Sequence, residues 1–108
     1  MDAERARELL AAERARVEQA LAALHGSGEA AGEQEPGERD SEGLYQKELD
    51  TGLAEDLEEQ LAAVERAEAR LAAGTYGLSV DSGERIPDER LEALPSAERT
   101  VAEQQARA

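Results

Sequence analysis

The chain has 108 residues, a formal net charge of −14 and only two aromatic side chains, Tyr45 and Tyr76, with no Cys, Trp or Phe. So few aromatics argue against a wide globular core, and the lack of cysteine excludes a disulfide framework. The acidity excludes docking on a nucleic-acid backbone or an anionic membrane through a basic surface and makes a basic protein surface the natural complement.

A single domain is expected at this length, and a composition dominated by Leu, Ala, Glu and Arg suits long helices and coiled coils. The start, MDAERARELL, is charged from its second residue and lacks the apolar region of a signal peptide. No apolar run approaches the roughly 20 residues that span a bilayer. A cytoplasmic protein without membrane contact is the expectation.

Residues 2 to 24 read as the first helix. Leu10, Val17, Leu21 and Leu24 share one stripe. Asp2 can cap its start and Gly26 follows its end. Arg14 and Arg16, set among glutamates, are expected on a solvated face, and His25 at the surface near the helix C-terminus. Residues 26 to 43, GSGEAAGEQEPGERDSEG, form a break in which six acids (Glu29, Glu33, Glu35, Glu38, Asp40 and Glu42) face one base, Arg39. Such a stretch buries too little apolar surface to offset its ordering entropy and reads as a polar, acidic tip.

Residues 44 to 72 read as the longest helix, with Leu57, Leu61, Val64 and Leu71 in the seam, Glu68 interrupting it, and Leu49 and Leu53 extending it backwards. Gly74 stops it. Two long amphipathic helices joined by a polar break bury their stripes most simply as an antiparallel hairpin. Beyond it, TYGLSVDSGERIP reads as a small hairpin. DERLEAL is a short helix behind Pro87, and a last helix, which Ser96 can cap, runs from AERTVAEQQARA to the end. The expected fold is mainly all-α: a long coiled-coil hairpin over residues 1–73 with an acidic tip loop at 26–43, then a small knuckle and C-terminal helix over 74–108.

No chemistry stands out. The one His, the absence of Cys, and serines without an evident base leave no nucleophile to activate. GSG and DSGE lack the long glycine pattern and following Lys of a phosphate loop. Paired acids are too common in this chain to mark general acid–base work. No enzyme and no cofactor are expected.

The segment GTYGLSVDSGERIPDERLEALPSAERTVAEQQ resembles the C-terminal zinc-finger region of the bacterial DksA/TraR family, whose pattern runs roughly GTYGxCxxCGxxIxxxRLEAxPxAxxCxxCQ. Gly74, Thr75, Tyr76, Gly77, Gly83, Ile86, Arg90, Leu91, Glu92, Ala93, Pro95, Ala97 and Gln104 stand in matching places. The order of a long helical hairpin, a polar tip and a finger is similar as well. The four cysteine places hold Ser79, Ser82, Thr100 and Glu103, a degenerate zinc finger. Neutral hydroxyls are poor ligands and one glutamate cannot hold zinc alone, so no metal is expected. A structural zinc contributes on the order of 10–16 kcal/mol to folding. In its place, burial of Leu78, Val80, Ile86, Leu91, Leu94 and Val101 around Tyr76, with Ser79 and Ser82 bonding nearby backbone, is expected to keep the knuckle ordered.

The resemblance implies a transcription regulator that binds RNA polymerase and not DNA. Relatives insert the hairpin into the secondary channel, bring acids at the tip toward the catalytic Mg²⁺ region, and brace the finger and last helix on the rim. By that resemblance the partner-binding candidates are Glu35, Glu38 and Asp40 at the tip, although the Asp-x-x-Asp-x-Ala arrangement of relatives is absent, and Arg90 on the finger, whose other reading is pairing with neighbouring glutamates. The free protein is expected to be a monomer. Two other readings stand beside this one: a helical protein–protein interaction module with a diverged, non-polymerase partner, and an acidic decoy for a nucleic-acid-binding surface.

Overall fold

A computed structural model describes residues 1–31 and 41–107, with side chains for 1–25 and 48–107. The fold is all-α: α1 (Ala3–Ala31), α2 (Ser41–Ala73), α3 (Asp88–Ala93) and α4 (Val101–Arg107). Among the described residues the only β feature outside named strands is an isolated antiparallel bridge, Leu78 with Arg85, so the expected small hairpin is reduced to one bridge. The described residues fall into two compact units, Met1–Arg14 with Ala62–Ala108 and Ala15–Leu61, and within each a stretch of α1 pairs antiparallel with a stretch of α2.

The break between the long helices is shorter than the expected 26–43, because α1 runs through Gly26 and Gly28 to Ala31 and α2 begins at Ser41. Glycine costs about 1 kcal/mol in a helix and does not forbid it. As a result His25, exposed as expected, lies within α1 and not at its end. Glu35, Glu38 and Asp40 lie outside the described residues.

The ends of the helices follow local chemistry. The Asp2 carboxylate accepts the Arg5 backbone N–H at 2.7 Å, the expected N-cap. At the end of α2, Thr75 N–H donates to the Arg70 carbonyl at 2.9 Å and Gly74 N–H to the Leu71 carbonyl at 3.2 Å. With Gly74 at φ 81°, this is a Schellman stop.

In the first unit, Leu10, Val64 and Ala67 form a buried cluster with Leu71 and Tyr76 packed on it. A second cluster joins Ile86, Leu91 and Ala97 to Met1 and Tyr76. Tyr76 touches both and so links the base of the hairpin to the knuckle. Its hydroxyl donates to the Pro95 carbonyl at 2.8 Å. The start of α1 is tied to α3 by the Met1 ammonium on Asp88 at 3.0 Å and by the Arg5 fork on Glu92 at 3.1 and 2.8 Å.

Glu68 does not merely interrupt the seam. Arg14, expected in solvent, is half-buried and its guanidinium spans to Glu68, with Nε at 3.2 Å. A long aliphatic stem lets the charge reach a partner on the next helix while the stem covers apolar surface. In the second unit Val17 is buried, Leu21, Leu24, Leu57 and Leu61 are half-buried, and the exposed Arg16 donates to Gln60 at 2.9 Å. Leu49 and Leu53, expected to extend the seam, stand 44% and 52% exposed.

Candidate functional site

The segment between α2 and α4 is held by turns before any side chain acts. Gly77 and Gly83 take φ values of 86° and 77°, the left-handed region. Around them Ser79 N–H donates to the Glu84 carbonyl at 2.8 Å, Gly83 N–H to the Ser79 carbonyl at 3.0 Å, and Ile86 N–H to the Gly77 carbonyl at 2.8 Å. The Val80 N–H reaches the Glu98 carbonyl at 2.9 Å, which binds this knuckle to the strand of chain leading into α4.

The four positions separated in sequence as Ser79, Ser82, Thr100 and Glu103 meet at one point. The Ser79 side chain is buried, and its oxygen accepts the backbone N–H groups of Asp81 and Ser82 at 3.1 and 3.3 Å. The Ser82 oxygen accepts the Glu84 N–H at 3.2 Å. Across from them, Thr100 N–H donates to Glu103 Oε1 at 2.9 Å and Glu103 N–H donates to Thr100 Oγ1 at 3.2 Å. That reciprocal pair is a capping box, and it starts α4 at Thr100 and not at the expected Ser96. The Ser82 side chain first, then the Thr100 N–H and the Ser79 side chain, hold the Glu103 pKa down to about 2.

This donor set does not fit zinc. Three neutral hydroxyls and one carboxylate replace soft ligands, and the hydroxyl oxygens are already engaged by backbone N–H groups. Among the described residues no group of three or more His, Cys, Asp or Glu is placed to hold a metal ion.

An outer ring of charges surrounds the cluster. Arg99 Nε lies 2.8 Å from Asp81, Arg107 lies 3.7 Å from the same carboxylate, and Arg66 on α2 lies 2.8 Å from Glu98. Arg90 on α3 is half-buried and donates Nε to the Arg99 carbonyl at 2.9 Å, pinning the approach to α4 rather than pairing with a glutamate through that nitrogen. The capping box was legible as Thr-x-x-Glu at 100–103. Nothing in the sequence singled out Asp81, Arg99 or Glu98, because their partners lie far along the chain.

The apolar replacement for a metal is smaller than expected. Ile86 and Leu91 are buried and Ala97 joins them, but Leu78, Val80, Leu94 and Val101 stand 40%, 47%, 42% and 48% exposed.

No family model matches the chain. Over 62 residues it is 44% identical to an uncharacterised protein, YteA, of Bacillus subtilis (strain 168), an overlap covering 57% of this chain and 26% of that protein. The chain thus spans about a quarter of the length of the curated relative it matches. Among solved structures it is similar to the transcription factor DksA2 from Pseudomonas aeruginosa, with a TM-score of 0.82 and 21% identity over 97% of this chain and 81% of that one. The chain therefore shares the fold of DksA2 along nearly its whole length.

Proposed function

We propose that this protein is a DksA/TraR-like transcription regulator that binds RNA polymerase through the secondary channel, without zinc and without contacting DNA. The observation that carries the reading is the coincidence of two likenesses. The finger segment 74–104 matches the family pattern at thirteen non-cysteine positions, Gly74 through Gln104, and the fold is that of a transcription factor over 97% of the chain. The net charge of −14 supports a protein partner with a basic face over a nucleic acid. Among the described residues no helix is long and apolar enough to cross a membrane, which is compatible with work at a cytoplasmic polymerase. In this reading the protein is not an enzyme and needs no cofactor, the tip acids Glu35, Glu38 and Asp40 act near the active site, and Arg90 holds or contacts the rim-facing finger.

The test is a competition assay with core RNA polymerase. Saturable binding that a known secondary-channel factor displaces is the expected result. No saturable binding at micromolar protein would reject the reading. It would leave a second one, a helical interaction module with a different partner, which Leu49 and Leu53 favour because they stand about half exposed on α2.

A further inference from the structure

We infer that Leu49 and Leu53 are the apolar anchor by which the unit Ala15–Leu61 docks on a basic protein surface, in a recess rimmed by Lys and Arg. The inference rests on the polymerase reading for the identity of that surface. It adds which face makes the contact and what chemistry receives it.

Helical geometry sets the face. Residues 49, 52, 53 and 56 recur at i, i+3, i+4 and i+7 and so lie on one side of α2. All four are exposed. Leu49 and Leu53 stand 44% and 52% open, and among the described residues they are the exposed large apolar side chains of this unit. A Cβ placed on Gly52 between them meets nothing within 4 Å, so that side of the helix is open. Further along the stripe Leu57 and Leu61 are half-buried. The cover that reaches them stops short of Leu49 and Leu53.

Charge decides what covers the pair. Residues 15–61 carry thirteen Asp and Glu against three Arg and Lys, a net −10 of the chain's −14. Glu48, Glu55 and Asp56 stand exposed around the two leucines. A second copy of the chain would set −10 against −10, and two half-exposed leucines fall far short of the roughly 1,200 Å² that a stable interface buries. The segment 32–40 has four acids and one base, the same sign again. Anionic lipid is repelled likewise. A basic protein surface gains twice, because its Lys and Arg meet the acidic rim while the leucines leave water. The two contributions then separate in time: charge sets the rate of arrival, and the desolvated apolar contact sets the rate of departure.

The experiment measures association and dissociation rates of the full-length protein on immobilised core RNA polymerase at low and physiological salt. It compares the parent with Leu49→Gln/Leu53→Gln, Leu49→Met/Leu53→Met and Glu48→Gln/Glu55→Gln. Gln and Met are both good helix formers, so α2 is kept, and thermal melting of each variant checks this. The Gln pair is expected to dissociate about tenfold faster or more, with its association rate and salt dependence kept. The Met pair should hold as the parent does. The Glu48→Gln/Glu55→Gln protein should associate more slowly at low salt and dissociate unchanged. Sedimentation of the free protein at about 100 μM is expected to show a monomer. A parent that binds polymerase while the Gln pair dissociates at the parental rate would overturn this inference and leave the polymerase reading standing. No saturable binding of the parent would reject that reading and this inference together. A dimer that the Gln pair abolishes would assign the face to a second copy and overturn the basic partner.

Discussion

Glu103 is a residue whose charged form the fold favours. A carboxylate pulled down to about 2 from its ordinary 4.5 by Ser82, Thr100 and Ser79 is bound more tightly as an anion in the folded chain than in the unfolded one. The sign follows directly. Its contribution is fully present above about pH 4.5 and is lost as the pH falls toward 2. Asp88, held down by the Met1 ammonium, and Glu92, held down by Arg5, act in the same direction, though both are exposed and solvent weakens them. Melting temperature is therefore expected to fall steadily from pH 4.5 to pH 2.5, and more shallowly in Glu103→Gln. An equal slope in the two proteins would place the acid sensitivity elsewhere. Arg90 illustrates the same economy, since its Nε serves the Arg99 carbonyl and so fixes the chain before α4. Asp81, Arg99 and Glu98 show the limit of reading residues one by one: each is an ordinary surface charge in sequence, and only the fold brings its partner within reach.

Helix starts and stops were the most legible features at the scale of elements. Asp2, Gly74 and Pro87 each act through atoms within a few residues of themselves, so their effect is written locally. The glycines differ in what they do. Gly77 sits at φ 86°, and a Cβ there would meet Leu91 Cδ1 at an ordinary 3.6 Å. Gly77→Ala is therefore expected to cost about 1–2 kcal/mol through the left-handed backbone alone and not through a clash. Gly52 lies inside α2, and a Cβ there meets nothing within 4 Å. Gly52→Ala is expected to stabilise the protein by about 0.5–1 kcal/mol by restricting the unfolded chain and favouring the helix. Urea unfolding of both variants checks the pair. A Gly52→Ala protein less stable than the parent would contradict a continuous α2. The seam was read correctly where Leu10, Val17 and Val64 are buried, and over-extended at Leu49 and Leu53. A helical stripe states which residues share a face, not how far along the partner helix covers that face.

The fold of the whole molecule, shared with DksA2, assigns separate work to its ends in the proposed reading. The hairpin and the finger would supply binding, and the acids at the tip would supply the effect on transcription. Replacing Glu35, Glu38 and Asp40 together with Asn or Ala is then expected to leave polymerase binding within a few-fold while abolishing the change in transcript output. Some loss of association rate at low salt is expected from the lost charge. It should shrink at physiological ionic strength, where the Debye length is about 8 Å. Multi-round transcription beside the competition assay measures both. A loss of binding in step with the loss of effect would show that the tip anchors the protein and does not act on the active site.

By itself the sequence determined the helical class, the pairing of two long helices, the stop at Gly74, the helix start behind Pro87, and the unfitness of positions 79, 82, 100 and 103 for zinc. These depend on periodicity, on local backbone chemistry and on the ligand strength of single side chains. Only the tertiary structure decided what replaced the metal. The sequence pointed to six apolar side chains, but two of them, Ile86 and Leu91, are buried. Within the turn the Ser79 oxygen takes two backbone N–H groups, and a reciprocal pair between Thr100 and Glu103 starts α4. Hydrogen bonds have direction as well as partners, and the direction in which a serine donates is set by which backbone groups already occupy its oxygen. That depends on the folded turn, and no spacing in the sequence records it.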